Sequence, residues 1–435
     1  MPRRPVLRLR IDSVAPGGDG VAHAEVGGQR RAVFVPGTVT GDVVDSEVDA
    51  SRRPARGLLT EVLERGPGRV DPACAWSDRC GGCDWMHVAP DLQLELHVEH
   101  VRDAMPEAWQ TMPIGARPSG ERLGYRTRAR VHVRCERGRV DVGMHETRTH
   151  EPVTVDRCVV LDPVLERARR TLAALFEGSR GRGDVALALG AAKPSPSRDV
   201  GAERAPVLDV RWLGELAREV FARLEAAVSG GTIAGARLSE GEVRRPAVVG
   251  DPTPWMTGAD GLPLRLAPGG FAQASESTNV TLAAHVAELA AARPAERAIE
   301  LHAGSGNLSV VLARAVGDLT TVESGRDACE AARANLLARG LKARIVEGDA
   351  DAYAWNAATK LVVLDPPRTG ARALAERLST SPVARVIYVS CDPQTLGRDL
   401  GILARAYRPT SITVFEMFPQ TSHVETVVAL ERARK

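Results

Sequence analysis

Residues 299–323, IELHAGSGNLSVVLARAVGDLTTVE, decide how the chain is read. A short apolar strand runs into Gly304 and Gly306, a helix follows, and a second strand ends on Glu323. Glycines at such a turn let the backbone pass close to a ligand just before the helix starts. A lone Gly-x-Gly is a weak signal, but between a strand and a helix it opens a nucleotide-type site. A carboxylate at the end of the next strand then suits ribose hydroxyls. The dinucleotide fingerprint needs a third glycine where Ser309 stands. This favours a ligand without a pyrophosphate, such as S-adenosylmethionine, over NAD.

The alternation continues to the end of the chain. Strands are expected at 297–302, 319–323, 343–347, 361–365, 384–390, 411–417 and 425–431, with a helix at 326–339. This is the pattern of an open, mainly parallel sheet covered on both faces, with ligands beyond the carboxyl ends of its strands. Asp349 (EGDAD), Asp365 (LDPPRTG), Cys391 (VSCDPQTLGRDL) and the pair His423 and Glu425 (SHVE) all fall at that edge. Cys391 precedes a helix expected to begin near Gln394, and a helix N-terminus lowers a thiol's pKa. Its place at the ligand edge favours a nucleophile over an inert buried thiol. Glu425 could act as a base there, although alone it would read as a solvated acid. Cys135 and Cys329, mid-strand and mid-helix, are assigned to packing.

Upstream, residues 6–65 read as short strands and turns, a small antiparallel five-stranded barrel. Arg3, Arg4, Arg8, Arg10, Arg30, Arg31, Arg52, Arg53 and Arg56 suggest a phosphate-touching surface. Residues 93–110 read as helix, 114–160 as strands, and 161–175 as helix. Arg126, Arg128, Arg130 and Arg134 share one strand face as a basic stripe. Residues 177–206, rich in Gly, Ser, Pro and Arg, suggest an exposed connection or insertion.

All but four of the 57 basic residues are arginine, set against 55 acidic ones for a net charge of +2. Arginine suits bidentate phosphate contact, but a GC-rich coding sequence produces the same bias. With 44% hydrophobic and 26% charged residues in 435, the composition excludes a disordered chain. No run of about 18 apolar residues occurs and the start lacks a secretory stretch, so a cytoplasmic protein without a membrane span is expected. There the seven cysteines are not structural disulfides. Cys74, Cys80 and Cys83 within ten residues, with Cys158 later, fit an iron–sulfur cluster or a structural zinc.

SCDPQTLGRD, DPPRTG and FPQTSHVE occur together, and on them the chain resembles the S-adenosylmethionine-dependent RNA uracil-5 methyltransferases of ribosomal and transfer RNA. The resemblance covers nearly the whole length. It implies a multidomain α/β protein in three parts: a TRAM-like RNA-binding β-barrel over 1–65, a central α+β domain with the iron–sulfur site and insertion over 66–265, and a Rossmann-like methyltransferase domain over 266–435. It implies a [4Fe–4S] cluster on Cys74, Cys80, Cys83 and Cys158 rather than zinc. It further implies that Cys391 attacks the base and Glu425 removes a proton. Gln273, His302, Asn307, Glu323, Asp349 and Asp365 fall at positions that contact the donor. Two departures stand out: His302-Ala303 where the family commonly has an aromatic and Cys, and Gln273-Ala274-Ser275 in place of Gln-Val-Asn. The expected activity is C5 methylation of a uridine in 23S rRNA by a monomer. The alternatives are the tRNA uridine-54 methyltransferases, a non-catalytic RNA-binding iron–sulfur protein, and a DNA or cytosine C5 enzyme using Glu276 or Glu416 on N3.

Overall fold

The computed structural model describes residues 4–147, 149, 151–192, 204–241, 245–293 and 297–433. Its strands form three large sheets.

The first sheet has six strands, in the order 6–10, 43–49, 55–64, 29–35, 20–26, 13–14. The sequence suggested five, all antiparallel; here 29–35 runs parallel to 55–64. Alternating residues build its core, from Leu9, Val33, Val35, Val44 and Val48. Strands 20–26 and 29–35 join through Gly27-Gly28, both at positive φ, with Val26 paired to Gln29. Two left-handed residues give a turn whose twist matches that of the flanking strands.

The second sheet has seven strands, in the order 152–154, 139–145, 128–136, 180–192, 204–215, 235–240, 247–250. Helices Pro163–Leu175 and Glu219–Ser229 pack on it through Leu165, Leu172, Phe176, Val220 and Leu224. The first helix starts on Pro163, with the Asp162 carboxylate accepting from Val164 N at 2.7 Å, a capped beginning. Most of 177–206 is therefore not a loose connection. RGRGDVALALGAA pairs with 204–215 and with 128–136, its apolar alternation prevailing over its glycines. Residues 193–203 of that stretch lie outside the described residues.

The third sheet has eight strands, in the order 344–347, 319–323, 298–301, 361–364, 385–390, 425–432, 407–415, 115–117. All seven strands expected from the C-terminal sequence are present. The first five run parallel, and 425–432 is antiparallel to both its neighbours. Strands 298–301 and 361–364 are buried throughout, as a parallel sheet covered on both faces requires. Strand Gly115–Arg117, from the stretch 114–160 read as strands, joins this sheet beside 407–415 rather than the central one. Helix Pro90–Ala104 also belongs here by packing, since Val101, Met105 and Trp109 enter the core of one sheet face. Residues 90–117 thus form a strap from the cysteine-bearing segment onto the C-terminal sheet. Among the described residues, no helix is long and apolar enough to cross a membrane.

Candidate active site

Strand order reverses between 298–301 and 361–364, which opens a crevice at their carboxyl ends. Register fixes what stands there. Leu301 lies beside Val322 and Leu364, so His302, Glu323 and Asp365 leave the sheet at one level. Ser390 pairs with Thr426, which sets Cys391 opposite Glu425 on the neighbouring strand.

On one side of the crevice the polar groups are tied to one another. The Glu323 carboxylate accepts from Gly304 N at 2.9 Å and from Gly325 N at 2.7 Å, fixing the turns after two strands. Gly306 has φ +85°, and a Cβ there would stand 3.1 Å from Ala332 Cβ on the helix Arg326–Ala338. The left-handed backbone and the tight approach of that helix both favour glycine at position 306. The turn's helix begins at Ser309. Asn307 exchanges two hydrogen bonds with Asn279, at 2.7 and 3.1 Å. Asp349 accepts from Asp351 N at 2.9 Å. His302 adopts φ +61°, a left-handed conformation uncommon for a side-chain-bearing residue, and its Nε2 is buried without a partner among the described residues. Burial lowers its pKa, while Asp351, Glu323 and Asp349 oppose that shift.

The other side differs. Burial pushes Glu425 well above the carboxylate range, and Asp365 pushes it further. The Gln273 amide and Arg368 favour its ionised form. Glu425 is 1% exposed, and neither its Oε2 nor Gln273 Oε1 has a partner among the described residues. Asp365 is raised by burial. Burial, with Glu425 and Asp365 nearby, raises the Cys391 thiol to about 12, against the pull of Arg368. The expectation that the helix N-terminus lowers this thiol is thus reversed. The helix starts at Pro393, and the Asp392 carboxylate caps it on Thr395 N at 2.8 Å. The thiol faces the acids Glu425 and Asp365 instead.

The four other candidate cysteines converge from distant positions. Cys74, Cys83 and Cys158 pack on Met86, Tyr125 and Val160. Burial raises Cys80, Cys83 and Cys158, and each of Cys80 and Cys83 is raised further by the other cysteines of the group. Arg126 opposes the rise at all three. Among the described residues, no His, Cys, Asp or Glu group of three or more is arranged as a metal site. Cys135 and Cys329 are buried in packing positions, as expected.

The basic stripe is shorter than the sequence suggested. Arg126 precedes the strand and is turned toward the cysteines, and Arg128 donates to Gly270 O at 2.7 Å. Arg130 is exposed, and Arg134 pairs with Glu151. In the first sheet, Arg4, Arg8, Arg52 and Arg56 pair with aspartates, whereas Arg10, Arg30 and Arg53 have no carboxylate partner among the described residues. Glu276 is held by Arg204 and Thr257; Glu416 Oε2 is held by Arg122 and Ser119 N, while its Oε1 has no partner among the described residues. Sequence reasoning passed over Arg368, although it stands inside DPPRTG. It also passed over Asp84, Gln93 and Gln420, whose contacts span more than 300 residues.

The family model described as tRNA (Uracil-5-)-methyltransferase matches residues 343–433, and that of the methyltransferase small domain matches 268–385. The 23S rRNA (uracil(1939)-C(5))-methyltransferase RlmD of Chromohalobacter salexigens is 32% identical over 437 residues, covering 98% of this chain and 89% of its own. RlmD of Pseudomonas aeruginosa PAO1 is 32% identical over 445 residues, covering 98% and 94%. The solved tRNA (uracil-54, C5)-methyltransferase of Pyrococcus abyssi, in complex with S-adenosyl-L-homocysteine, has the same fold. Its TM-score is 0.73 over 98% of this chain and 100% of that one, at 22% identity. Similar to such relatives along almost its entire length, the chain belongs to the RNA uracil-5 methyltransferase family.

Proposed function

We propose that this protein methylates C5 of a uridine in 23S rRNA, the counterpart of the position 1939 named for its relatives, with Cys391 as nucleophile and Glu425 as proton acceptor. One observation carries the reading: a thiol and a buried carboxylate, one of whose oxygens has no partner among the described residues, face each other across neighbouring strands, at the crevice where the sheet order reverses.

Uracil C5 is a poor nucleophile. Addition of the Cys391 thiolate to C6 turns C5 into an enolate carbon that can take a methyl group. Glu425 then accepts the C5 proton, and the C6–Sγ bond breaks to regenerate the thiolate. S-adenosylmethionine, when bound, supplies the electrophilic methyl group. Its holders in this reading are Gln273, His302, Asn307, Glu323, Asp349 and Asp365. Arg368 favours the ionised form of both Cys391 and Glu425, and both must lose a proton to act. C6 of a stacked base is hidden, so the target uridine flips out.

The reading keeps three parts, a TRAM-like RNA-binding barrel (1–65), a central domain (66–265) and a methyltransferase domain (266–435), with 90–117 strapped onto the last. Arg10, Arg30, Arg53 and Arg130 are its phosphate contacts. Cys74, Cys80, Cys83 and Cys158 are read as ligands of a [4Fe–4S] cluster. Three of the cysteines against an apolar wall, with Cys80 close by and Arg126 beside them, its Nε without a partner among the described residues, suit an anionic thiolate group. The cluster's part is to brace this segment, since methyl transfer to carbon needs no electron from it. The reading takes the working unit to be a monomer.

The test is incubation with a labelled donor and either 23S rRNA or tRNA, followed by mapping of 5-methyluridine. Label confined to 23S rRNA supports the reading, and label confined to tRNA replaces the substrate. A transcript carrying 5-fluorouridine should form a stable adduct through Cys391. If Cys391→Ala methylates as fast as the parent, the nucleophile assignment is wrong.

A further inference from the structure

The nine residues 416–424 connect strands that are already paired at Phe415 and Glu425. A two-residue turn would join such strands. The longer loop ends one residue before the carboxylate read here as the base, and its middle is held from outside. Gln420 has φ +71°, a conformation that an L-residue keeps only where its surroundings enforce it. Gln93, fully buried on helix 90–104, does so. Its Oε1 accepts from Gln420 N at 2.9 Å, and its Nε2 donates to Gln420 Oε1 at 3.1 Å. Trp85 N donates to Gln420 O at 3.0 Å. The neighbours of Gln420 are fixed in the same way. Tyr125 Oη donates to Pro419 O at 3.1 Å, and His97 Nε2 lies 3.0 Å from Thr421 O. The Asp84 carboxylate accepts from Ser422 N at 2.9 Å and from Ser422 Oγ at 2.5 Å. Five backbone groups in four consecutive residues are thus bonded by residues 84–125. Arg122 locks the holder itself, donating to Gln93 Oε1 at 2.7 Å and to Glu416 Oε2 at 2.8 Å.

We propose that Asp84 and Gln93 are positioning residues for proton abstraction: by holding Ser422 and the left-handed Gln420, they set the approach of the chain to Glu425, and so the place of its carboxylate opposite Cys391. The inference rests on the reading of Glu425 as proton acceptor. In the step concerned, the C5 proton passes to the Glu425 carboxylate. The C5–H electron pair becomes the C5–C6 double bond, and the C6–Sγ pair leaves with Cys391 as thiolate. Attack by Cys391 and methyl transfer come earlier and do not use Glu425. Loosening the clamp should therefore slow the late step and spare the early ones.

The experiment compares Asp84→Ala, Asp84→Asn and Ser422→Ala with the parent and with Glu425→Gln. Tritium release from [5-³H]uridine RNA reads proton abstraction. Adduct formation with a 5-fluorouridine transcript, which has no C5 proton to lose, reads the earlier steps. Asp84→Ala should lower tritium release by ~10- to ~100-fold, the scale of a misplacement near 1 Å. Adduct formation should stay within about threefold of the parent, and methylated adduct should accumulate on ordinary RNA. Asp84→Asn and Ser422→Ala, which keep the shape of the loop, should fall between parent and Asp84→Ala. A parallel fall in tritium release and adduct formation, or no change in either, in the two shape-keeping variants overturns the inference. If Glu425→Gln itself accumulates no adduct, the base assignment fails instead; if it does and the others do not, only the clamp fails.

Discussion

Glu323 and Glu425 both begin or end a strand at the same edge of the same sheet, yet they are treated in opposite ways. On the donor side Glu323 spends its oxygens on Gly304 N and Gly325 N, and so acts as a tie between two turns. On the reaction side Glu425 is buried, its Oε2 has no partner among the described residues, and its pKa is driven up by burial and Asp365. A buried acceptor left without a partner costs free energy on the order of 1–3 kcal/mol. The fold carries that cost where a proton is to be received and avoids it where the backbone only needs holding. The difference separates the residues that shape the crevice from those that react in it.

Replacing the reacting carboxylate gives the largest expected effect. Glu425→Gln preserves shape and removes the proton acceptor, so turnover should fall by ~10²- to ~10⁴-fold. The 5-fluorouridine adduct should still form. Equal loss of both would erase the distinction between the two sides.

The Cys391 thiol offers a second test without RNA. Raised to about 12 by burial and its acidic neighbours, it is protonated at neutral pH. The reactive thiolate fraction then increases ~tenfold per pH unit, or ~10³-fold from pH 7 to 10. Iodoacetamide labelling of this residue, followed by mass spectrometry, should track that slope. A plateau near pH 8 would show an ordinary or activated thiol and remove the opposing charges from the account.

Glu323→Ala frees two backbone N–H groups and loosens both turns, so donor affinity should weaken by ~10- to ~100-fold, about 1.4–3 kcal/mol. Calorimetry with S-adenosylhomocysteine reads it. Adduct formation at saturating donor should recover. If saturation does not restore it, Glu323 belongs with the reacting groups after all.

What could be read in advance divides along similar lines. The seven C-terminal strands were legible because each is a short apolar run punctuated by its own turn residues. Cys391 and Glu425 were legible as edge residues for the same reason. The pairing of strand 115–117 with this sheet was not, since three residues carry no sign of their partner, which lies at 413–415, about 300 positions away. The sign of the Cys391 shift was missed because it depends on which acids the folded sheet brings alongside. The local cue, a following helix, pointed the other way. Gln93 looked like any helix residue until Gln420, 327 positions later, came to rest on it.

Glu300 sharpens the comparison because it breaks the simplest version of it. It lies on strand 298–301, on the donor side, and is 2% exposed. Burial raises it to about 8, with Asp365 and Glu323 adding to the rise and Ser309 opposing it. Yet it is satisfied: its Oε2 and Ser309 Oγ stand 2.5 Å apart, fixing the start of the helix after the glycine turn. A raised carboxyl is therefore not by itself the mark of a reacting one; at Glu425 a raised carboxyl and an unpartnered oxygen coincide at the crevice. The folded chain keeps this proton up to about pH 8, whereas the unfolded chain loses it near 4.5. Between those values the folded state holds more protons, so this group's contribution to stability declines as pH rises through the window and is level above it. Glu300→Gln keeps the contact with Ser309 and has no proton to lose. Relative to the parent it should gain stability from pH 5 to 9, by at most ~4 kcal/mol, read as a rising difference in the thermal midpoint of the C-terminal domain. Donor affinity should stay within about threefold at pH 7, because the protonated acid and the amide present the same shape and each can donate to Ser309. A stability difference that is flat with pH would mean that Glu300 is already ionised at pH 5, and the donor side would then hold a charge that the fold has left unneutralised.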